Sequence, residues 1–316
     1  MPLAPKLRFY NGCEIPVLGL GTWKSKVGEV GQAVRYAIDI GYRHIDCALA
    51  YGNESEVGEA IRDKISQGVV KRENLFITSK LFNNSHKFES VEKAIRKSLG
   101  NLGLEYLDLY LVHWPVAHED GDELFPKNPD GSIKLADIDY LETWRGMEEV
   151  HAKGLTRNLG ISNFNSEQIS RLLANCKIKP VVNQVECHPY LTQQKLSKFC
   201  NEKEIIITAY CPLGSPDRPA AKPEDPKLLD DKNLQKISQK YKKTPAQVVL
   251  RYQIDRGHVV IPKSVTKSRL LENFDVFDFK LSPEDISYIN SLDVNVRLCT
   301  LADRKASPYY PFNIEF

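Results

Sequence analysis

The stretch Gly41-Tyr42-Arg43-His44-Ile45-Asp46-Cys47-Ala48, followed by Tyr51, Glu54 and Gly58, ends a short apolar strand on a carboxylate and sets a phenol in the loop after it. Working outward, Lys80 closes Leu75-Phe76-Ile77-Thr78-Ser79, and His113 closes Leu107-Asp108-Leu109-Tyr110-Leu111-Val112. If these strands are neighbours in one parallel barrel, an Asp, a Tyr, a Lys and a His converge at their carboxyl ends.

The rest of the chain repeats that pattern. Lys6 to Phe9 and Glu14 to Val17 flank an Asn11-Gly12 turn and read as an amino-terminal hairpin. After Leu18-Gly19-Leu20, the residues Val30, Ala33, Val34, Ala37 and Ile38 recur at amphipathic-helix spacing. Helices around 57–65, 91–99 and 141–151 follow the three strands named above. Four more strands are expected at 158–162, 181–186, 205–210 and 259–262, with helices near 166–174, 193–202, 244–255 and 268–273. Eight strand-then-helix units indicate an α/β protein, a (β/α)8 barrel in a single domain over 1–316. A doubly wound sheet is the competing architecture, but no G-x-G-x-x-G follows an early strand; Gly19-Leu20-Gly21 lacks the third glycine. Three stretches fall outside the repeat: 117–139, the proline-rich 214–231, and the carboxyl-terminal tail 294–316. All three are expected over the barrel mouth, since long irregular connections are usually functional or mobile.

Composition narrows the function. The 43 basic and 41 acidic residues leave a formal charge of +2, too even a balance to read nucleic acid or an anionic membrane. No apolar run approaches the roughly 20 residues of a membrane span, and the first residues lack a signal-peptide core. Seven scattered cysteines without a C-x-x-C pair suggest reduced thiols and a cytoplasmic protein. Cys187 and His188 invite a metal reading but lack further ligands at suitable spacing, so no metal is expected.

Asp46, Tyr51, Lys80 and His113 suit proton transfer to an oxygen on which negative charge develops. A phenol has an unperturbed pKa of about 10. A neighbouring Lys ammonium, kept charged and oriented by Asp46, would stabilise its anion, and His113 could bond a carbonyl oxygen. Singly, each residue has a bland explanation: a cap, a snorkelling amine, a half-buried ring, a strand-end histidine. Together at successive strand ends they form a set.

The segment 41–58 resembles the signature of the aldo-keto reductase family. So do Ile77-Thr78-Ser79-Lys80-Leu81, Leu109-Tyr110-Leu111-Val112-His113-Trp114-Pro115, Gly160-Ile161-Ser162-Asn163-Phe164 and Ile261-Pro262-Lys263-Ser264. The likeness runs from Gly12 to the carboxyl terminus and is closest to the aldose reductase and aldehyde reductase branch. It implies a TIM barrel that reduces aldehydes and ketones with NADPH and no metal. Tyr51 would be the proton donor, Lys80 and Asp46 the pair that adjusts its acidity, and His113 the group that orients the carbonyl.

For the cofactor, the resemblance implies Ser162, Asn163 and Gln184 on the carboxamide and Tyr210 stacked on the nicotinamide. It gives Leu213, Ser215 and Asp217 a loop over the pyrophosphate, and Lys263, Ser264 and Arg269 the 2′-phosphate. Glu272 and Asn273 would meet adenine, while Thr22, Trp23 and Asp46 line the same site. Independently of the likeness, Lys263 and Arg269 beside a strand end and a helix start favour an anion. The substrate pocket would take Trp23, Ala50, Tyr51, Phe82, His113, Trp114, Phe125, Ala220, Leu298, Cys299 and Leu301. Phe82 and Ala220 stand where aldose reductase has tryptophans, Ala50 where it has valine, and Cys211 where it has serine. The lost volume suggests bulkier carbonyls, such as steroid-like or ecdysteroid-like ketones and aromatic or lipid-derived aldehydes.

Two other functions compete: a non-catalytic NADPH-binding barrel with a regulatory or structural role, and a metal-dependent barrel hydrolase. The four intact polar residues argue against the first. The lack of clustered ligands at strand ends argues against the second. A monomer acting on a small-molecule carbonyl is the expected form.

Overall fold

The computed structural model of the chain describes residues 3–316 apart from 217, 219, 220 and 222–226; Asp217 and Ala220 therefore lie outside the described residues. Strands β1 (Lys6–Arg8) and β2 (Glu14–Pro16) form the expected antiparallel hairpin. Eight parallel strands follow: β3 (Leu20–Gly21), β4 (His44–Asp46), β5 (Phe76–Leu81), β6 (Leu109–Val112), then β9 (Leu159–Ser162), β10 (Val182–Glu186), β11 (Ile206–Tyr210) and β12 (Val259–Val260). They pair in chain order. Leu18 beside Val260 and Gly21 beside Lys263 close the ring, with Gly19 N donating to Val260 O at 2.9 Å and Gly21 N to Pro262 O at 3.0 Å. The last strand stops short of the expected 262 because Pro262 has no N–H to give the ladder.

Helices α1 (Val30–Ile40), α2 (Glu54–Ser66), α3 (Phe88–Leu102), α4 (Tyr140–Ala152), α5 (Ser166–Leu173), α6 (Gln194–Glu202), α8 (Pro245–Asp255) and α9 (Lys267–Phe274) lie within a few residues of their expected positions. Their starts follow from side chains: Asn165 with Gln168 and Thr244 with Gln247 form reciprocal capping boxes, and Pro245 occupies the first turn of α8. Two helices were not anticipated, α7 (Lys232–Tyr241) and α10 (Pro283–Asn290). A small antiparallel pair, β7 (Ala117–His118) with β8 (Leu135–Ala136), also orders part of the first irregular stretch.

Two glycines of the opening motif have steric reasons. Gly41 ends α1 at φ +120°, a conformation other residues rarely adopt, and Gly58 sits where α2 crosses α3: a Cβ there would lie 2.2 Å from Leu102 O.

Alternation along the strands separates two apolar clusters. Ile45, Ile77, Leu81, Tyr110, Val112 and Ile161 pack outward against the helices. Phe76, Leu109, Leu111, Val182 and Val259 point inward and meet Phe9 and Ile15 of the hairpin, which plugs the amino-terminal end. Continuing the same period of two places Asp46, Lys80, Ser162, Gln184, Glu186 and Tyr210 inside the barrel at its carboxyl end.

Candidate active site

Asp46 and Lys80 form an ion pair of 2.6 Å at the barrel axis, with 2% and 1% of their side chains exposed. The parallel register of β4 and β5 brings their strand ends together. Lys80 Nζ also donates to Cys47 O at 2.7 Å, and Gln184 Nε2 donates to the second Asp46 oxygen at 2.8 Å. Thr22 Oγ1 donates to Asp46 O, and Asn53 Nδ2 in turn to Thr22 O. The two buried side chains are thus matched by each other and by fixed dipoles, which offset the cost of taking them out of water.

Tyr51 lies in a short helical turn (Leu49–Tyr51) directly after β4, its ring centre 5.0 Å from Lys80 Nζ. Its edge meets the His113 ring, centroids 5.9 Å apart. Burial, and secondarily the Asp46 carboxylate, hold the Tyr51 hydroxyl well above the ordinary phenol value. Desolvation of a phenolate is the larger cause, and the Asp46 charge acts in the same direction. A phenol that stays protonated at neutral pH is nevertheless the form a proton donor requires. His113 is pushed well below its usual value by burial and by the Lys80 charge, and is therefore neutral.

These groups open onto a cavity of about 1000 Å³. Its inner part is lined by Trp23, Ala50, Tyr51, Phe82, His113 and Trp114, and its rim by Phe125, Leu298, Cys299 and Leu301. Phe82 packs edge-on against His113 and Phe125, with centroids at 5.6 and 5.2 Å. The three irregular stretches do meet here: Phe125 comes from the first, Ser215, Pro216 and Arg218 from the second, Leu298 to Asp303 from the third. Lys80 is brought into the set from behind the lining.

Along the same cavity runs a chain of amides and an aromatic ring. Tyr210 OH donates to Asn163 Oδ1 at 2.8 Å, Asn163 Nδ2 donates to His113 O at 3.0 Å, and Ser162 Oγ donates to Gln184 O at 2.8 Å. Asn163 adopts φ +62°, which turns its amide across the strand ends. At the far end Lys263 and Ser264, with Arg269, Glu272 and Asn273 of α9, line the wall, and Thr22 lines the near end. Glu272 Oε1 accepts from Thr244 Oγ1 at 2.7 Å. Two cations at one end, and amides with a flat ring at the other, fit a dinucleotide that carries an extra phosphate.

Some lining residues carried no sequence signal strong enough to be singled out. Lys24 Nζ donates to Ser215 Oγ at 2.9 Å, linking the loop after β3 to the loop after β11, and Arg218 and Asp303 also face the cavity. Lys24 sits next to Trp23 at a strand end, which is the one hint it gave.

Comparisons agree with this geometry. Residues 17–294 match the model of the aldo/keto reductase family. The chain is 51% identical over 314 residues to aldo-keto reductase family 1 member A1 of Gallus gallus, covering 96% of each chain, and 49% identical to the Homo sapiens protein of that name, covering 96% of this chain and 97% of the relative. Among solved structures, the aldose reductase of Schistosoma japonicum superposes with a TM-score of 0.93 at 44% identity, covering 99% of this chain and 100% of that one. A Bombyx mori aldo-keto reductase in complex with NADP gives a TM-score of 0.89 at 42% identity, covering 98% and 100%. With its barrel closed as the sequence implied and its polar strand ends gathered on one cavity, the chain belongs to the aldo/keto reductase family.

Proposed function

We propose that the protein reduces aldehydes and ketones to alcohols with NADPH, and that Tyr51 supplies the proton. The observation that carries the reading is the meeting of Tyr51, His113 and Asp46, with Lys80 paired to Asp46 behind the lining, on the same cavity as the amide and phosphate-binding residues. When bound, NADPH supplies the hydride. The chain's own residues do the rest. Asn163, Gln184 and Tyr210 hold a nicotinamide face, Lys263, Ser264 and Arg269 hold a phosphate, and neutral His113 orients the carbonyl oxygen toward the Tyr51 hydroxyl. As charge develops on that oxygen, Tyr51 transfers its proton, and the Lys80 ammonium stabilises the phenolate left behind.

The pocket reading extends to bulky carbonyls. Phe82 and Ala50 leave an aromatic but open lining on the part of the cavity beside Tyr51 and His113. Steroid-like ketones and aromatic or lipid-derived aldehydes are the substrate classes proposed. The reading also keeps a cytoplasmic monomer; among the described residues no helix is long and apolar enough to cross a membrane.

The direct test follows NADPH consumption with an aromatic aldehyde. Tyr51→Phe should lower kcat by at least about 100-fold, the usual worth of a positioned proton donor, while NADPH still quenches the protein's fluorescence. Full activity in that variant, or NADPH binding without turnover of any carbonyl by the wild-type protein, would sink the proposal.

A further inference from the structure

Glu186 is the last residue of β10 and, by the alternation of that strand, points into the barrel mouth. It is fully buried. Taking a carboxylate out of water is costly unless strong donors replace the water. Its donors are known: Leu298 N reaches Oε1 at 2.7 Å, Cys299 N reaches Oε2 at 2.7 Å, and His188 Nε2 lies 2.8 Å from Oε1. Both carboxylate oxygens are thus occupied by consecutive main-chain N–H groups of the carboxyl-terminal tail, 112 and 113 residues away in sequence.

Leu298 and Cys299 line the pocket, as does Leu301, where the chain bends through φ +48°. The approach to this wall is tied to the loop that follows Glu186: Val296 N donates to Tyr190 O at 3.0 Å, and Thr192 N donates to Asp293 Oδ2 at 3.0 Å. Beyond it, the tail is braced by its own Tyr310 OH on Thr300 O and held from outside by Asn165 Nδ2 on Pro311 O. At the wall itself, the barrel's grip on the main chain is the Glu186 carboxylate.

We infer that Glu186 is a positioning residue that sets substrate selectivity, by fixing the main chain of Leu298 and Cys299 as the pocket's outer wall. Bonds from N–H groups to a carboxylate are about twice as strong as those between neutral partners, so the wall is rigid where it meets substrate. Glu186→Gln keeps the volume but presents one oxygen and one NH2 where two N–H groups need two acceptors. One main-chain N–H is then opposed by another donor, and the wall moves outward. Large carbonyls, which reach that wall, feel the change; small ones, bound deep against Tyr51 and His113, feel it far less.

The inference rests on the reading of this cavity as the carbonyl site, and the experiment separates the two. Wild-type, Glu186→Gln, Leu298→Ala and the double variant are assayed at saturating NADPH with a short aliphatic aldehyde, 4-nitrobenzaldehyde and a steroid ketone. The expected result for Glu186→Gln is a change of about fivefold or more in the ratio of kcat/KM between the steroid ketone and the short aldehyde, expressed mainly in KM. In the double variant the two effects on that ratio should fail to multiply, because both act on one segment. Glu186→Asp, which keeps the charge and both oxygens, should restore part of the ratio. A common factor across all substrates, an unchanged ratio, or independent multiplication with Leu298→Ala overturns the inference while leaving carbonyl reduction intact. A wild-type protein inactive on the whole panel overturns the activity reading, and this inference with it.

Discussion

The Lys80 ammonium and the Asp46 carboxylate, 34 residues apart in the chain, meet at 2.6 Å in the closed centre of the barrel. Neither has appreciable contact with solvent. The pair serves the phenol above it only as long as both members are present, because each is the other's principal compensation for lost hydration.

Replacing Lys80 with Met therefore leaves Asp46 buried without its cation. We expect a loss of about 3 to 5 kcal/mol in unfolding free energy, the typical cost of breaking such a pair from one side. Urea denaturation at neutral pH measures it. The double variant with Asp46→Asn should recover much of that stability without recovering turnover; if it is less stable than Lys80→Met alone, the ion-pair account fails.

Arg269 and Lys263 are assigned to the extra phosphate of the cofactor. Arg269→Ala should cut kcat/KM for NADPH by about 10- to 100-fold, corresponding to the roughly 1.5 to 3 kcal/mol of a hydrogen bond to a charged group, with little effect on the value for NADH. Equal losses with both cofactors would show that Arg269 acts on something the two share.

Phe82 sets the width of the inner pocket through its edge contacts with His113 and Phe125. Phe82→Trp adds volume beside the reacting carbonyl. Its kcat/KM should fall several-fold more for a steroid ketone than for a short aldehyde. An equal fall for both would place Phe82 in support of His113 and not in selection of substrate.

Acid should unfold the protein through its buried histidines. Burial depresses the imidazole pKa of His44 to about 4 and of His86 to about 3, from 6.5. Below pH 6.5 the unfolded chain takes up protons that the folded chain refuses, so stability declines as pH falls from 6.5 toward 4; above about pH 7 neither group contributes. At about 1.4 kcal/mol per pKa unit, the loss reaches several kcal/mol. Urea midpoints at pH 7.5, 5.5 and 4.5 would follow it. His86→Leu, which also removes two ring nitrogens without a hydrogen-bond partner among the described residues, should flatten the decline. A midpoint independent of pH across this range would contradict the burial argument.

Much of the barrel was legible because its strands and helices carry different periods. Phe76, Thr78 and Lys80 alternate inward with Ile77, Ser79 and Leu81 outward, and the helices between strands repeat every third and fourth residue. Helix α7 was also written in Leu234, Ile237 and Tyr241, but it directly follows the proline-rich stretch that drew attention instead. Helix α10 begins with Ser282 capping and Pro283 in its first turn, and of its residues only Ile289 is buried, so its periodic signal is faint.

The site divides in the same way. The residue types at strand ends, and their family likeness, are local facts, and Asp46, Tyr51, Lys80 and His113 could be named from them. Glu186 could not, since a carboxylate at a strand end says nothing of main-chain donors 112 residues later.

By itself, then, the sequence determined the alternation that turns each polar strand end inward, because side-chain direction in a strand depends only on position along it. Tertiary structure alone decided the protonation of Tyr51 and His113 and the shape of the pocket wall. Those depend on which charges and N–H groups lie within a few ångströms after the barrel closes, and on how much water that closure removes.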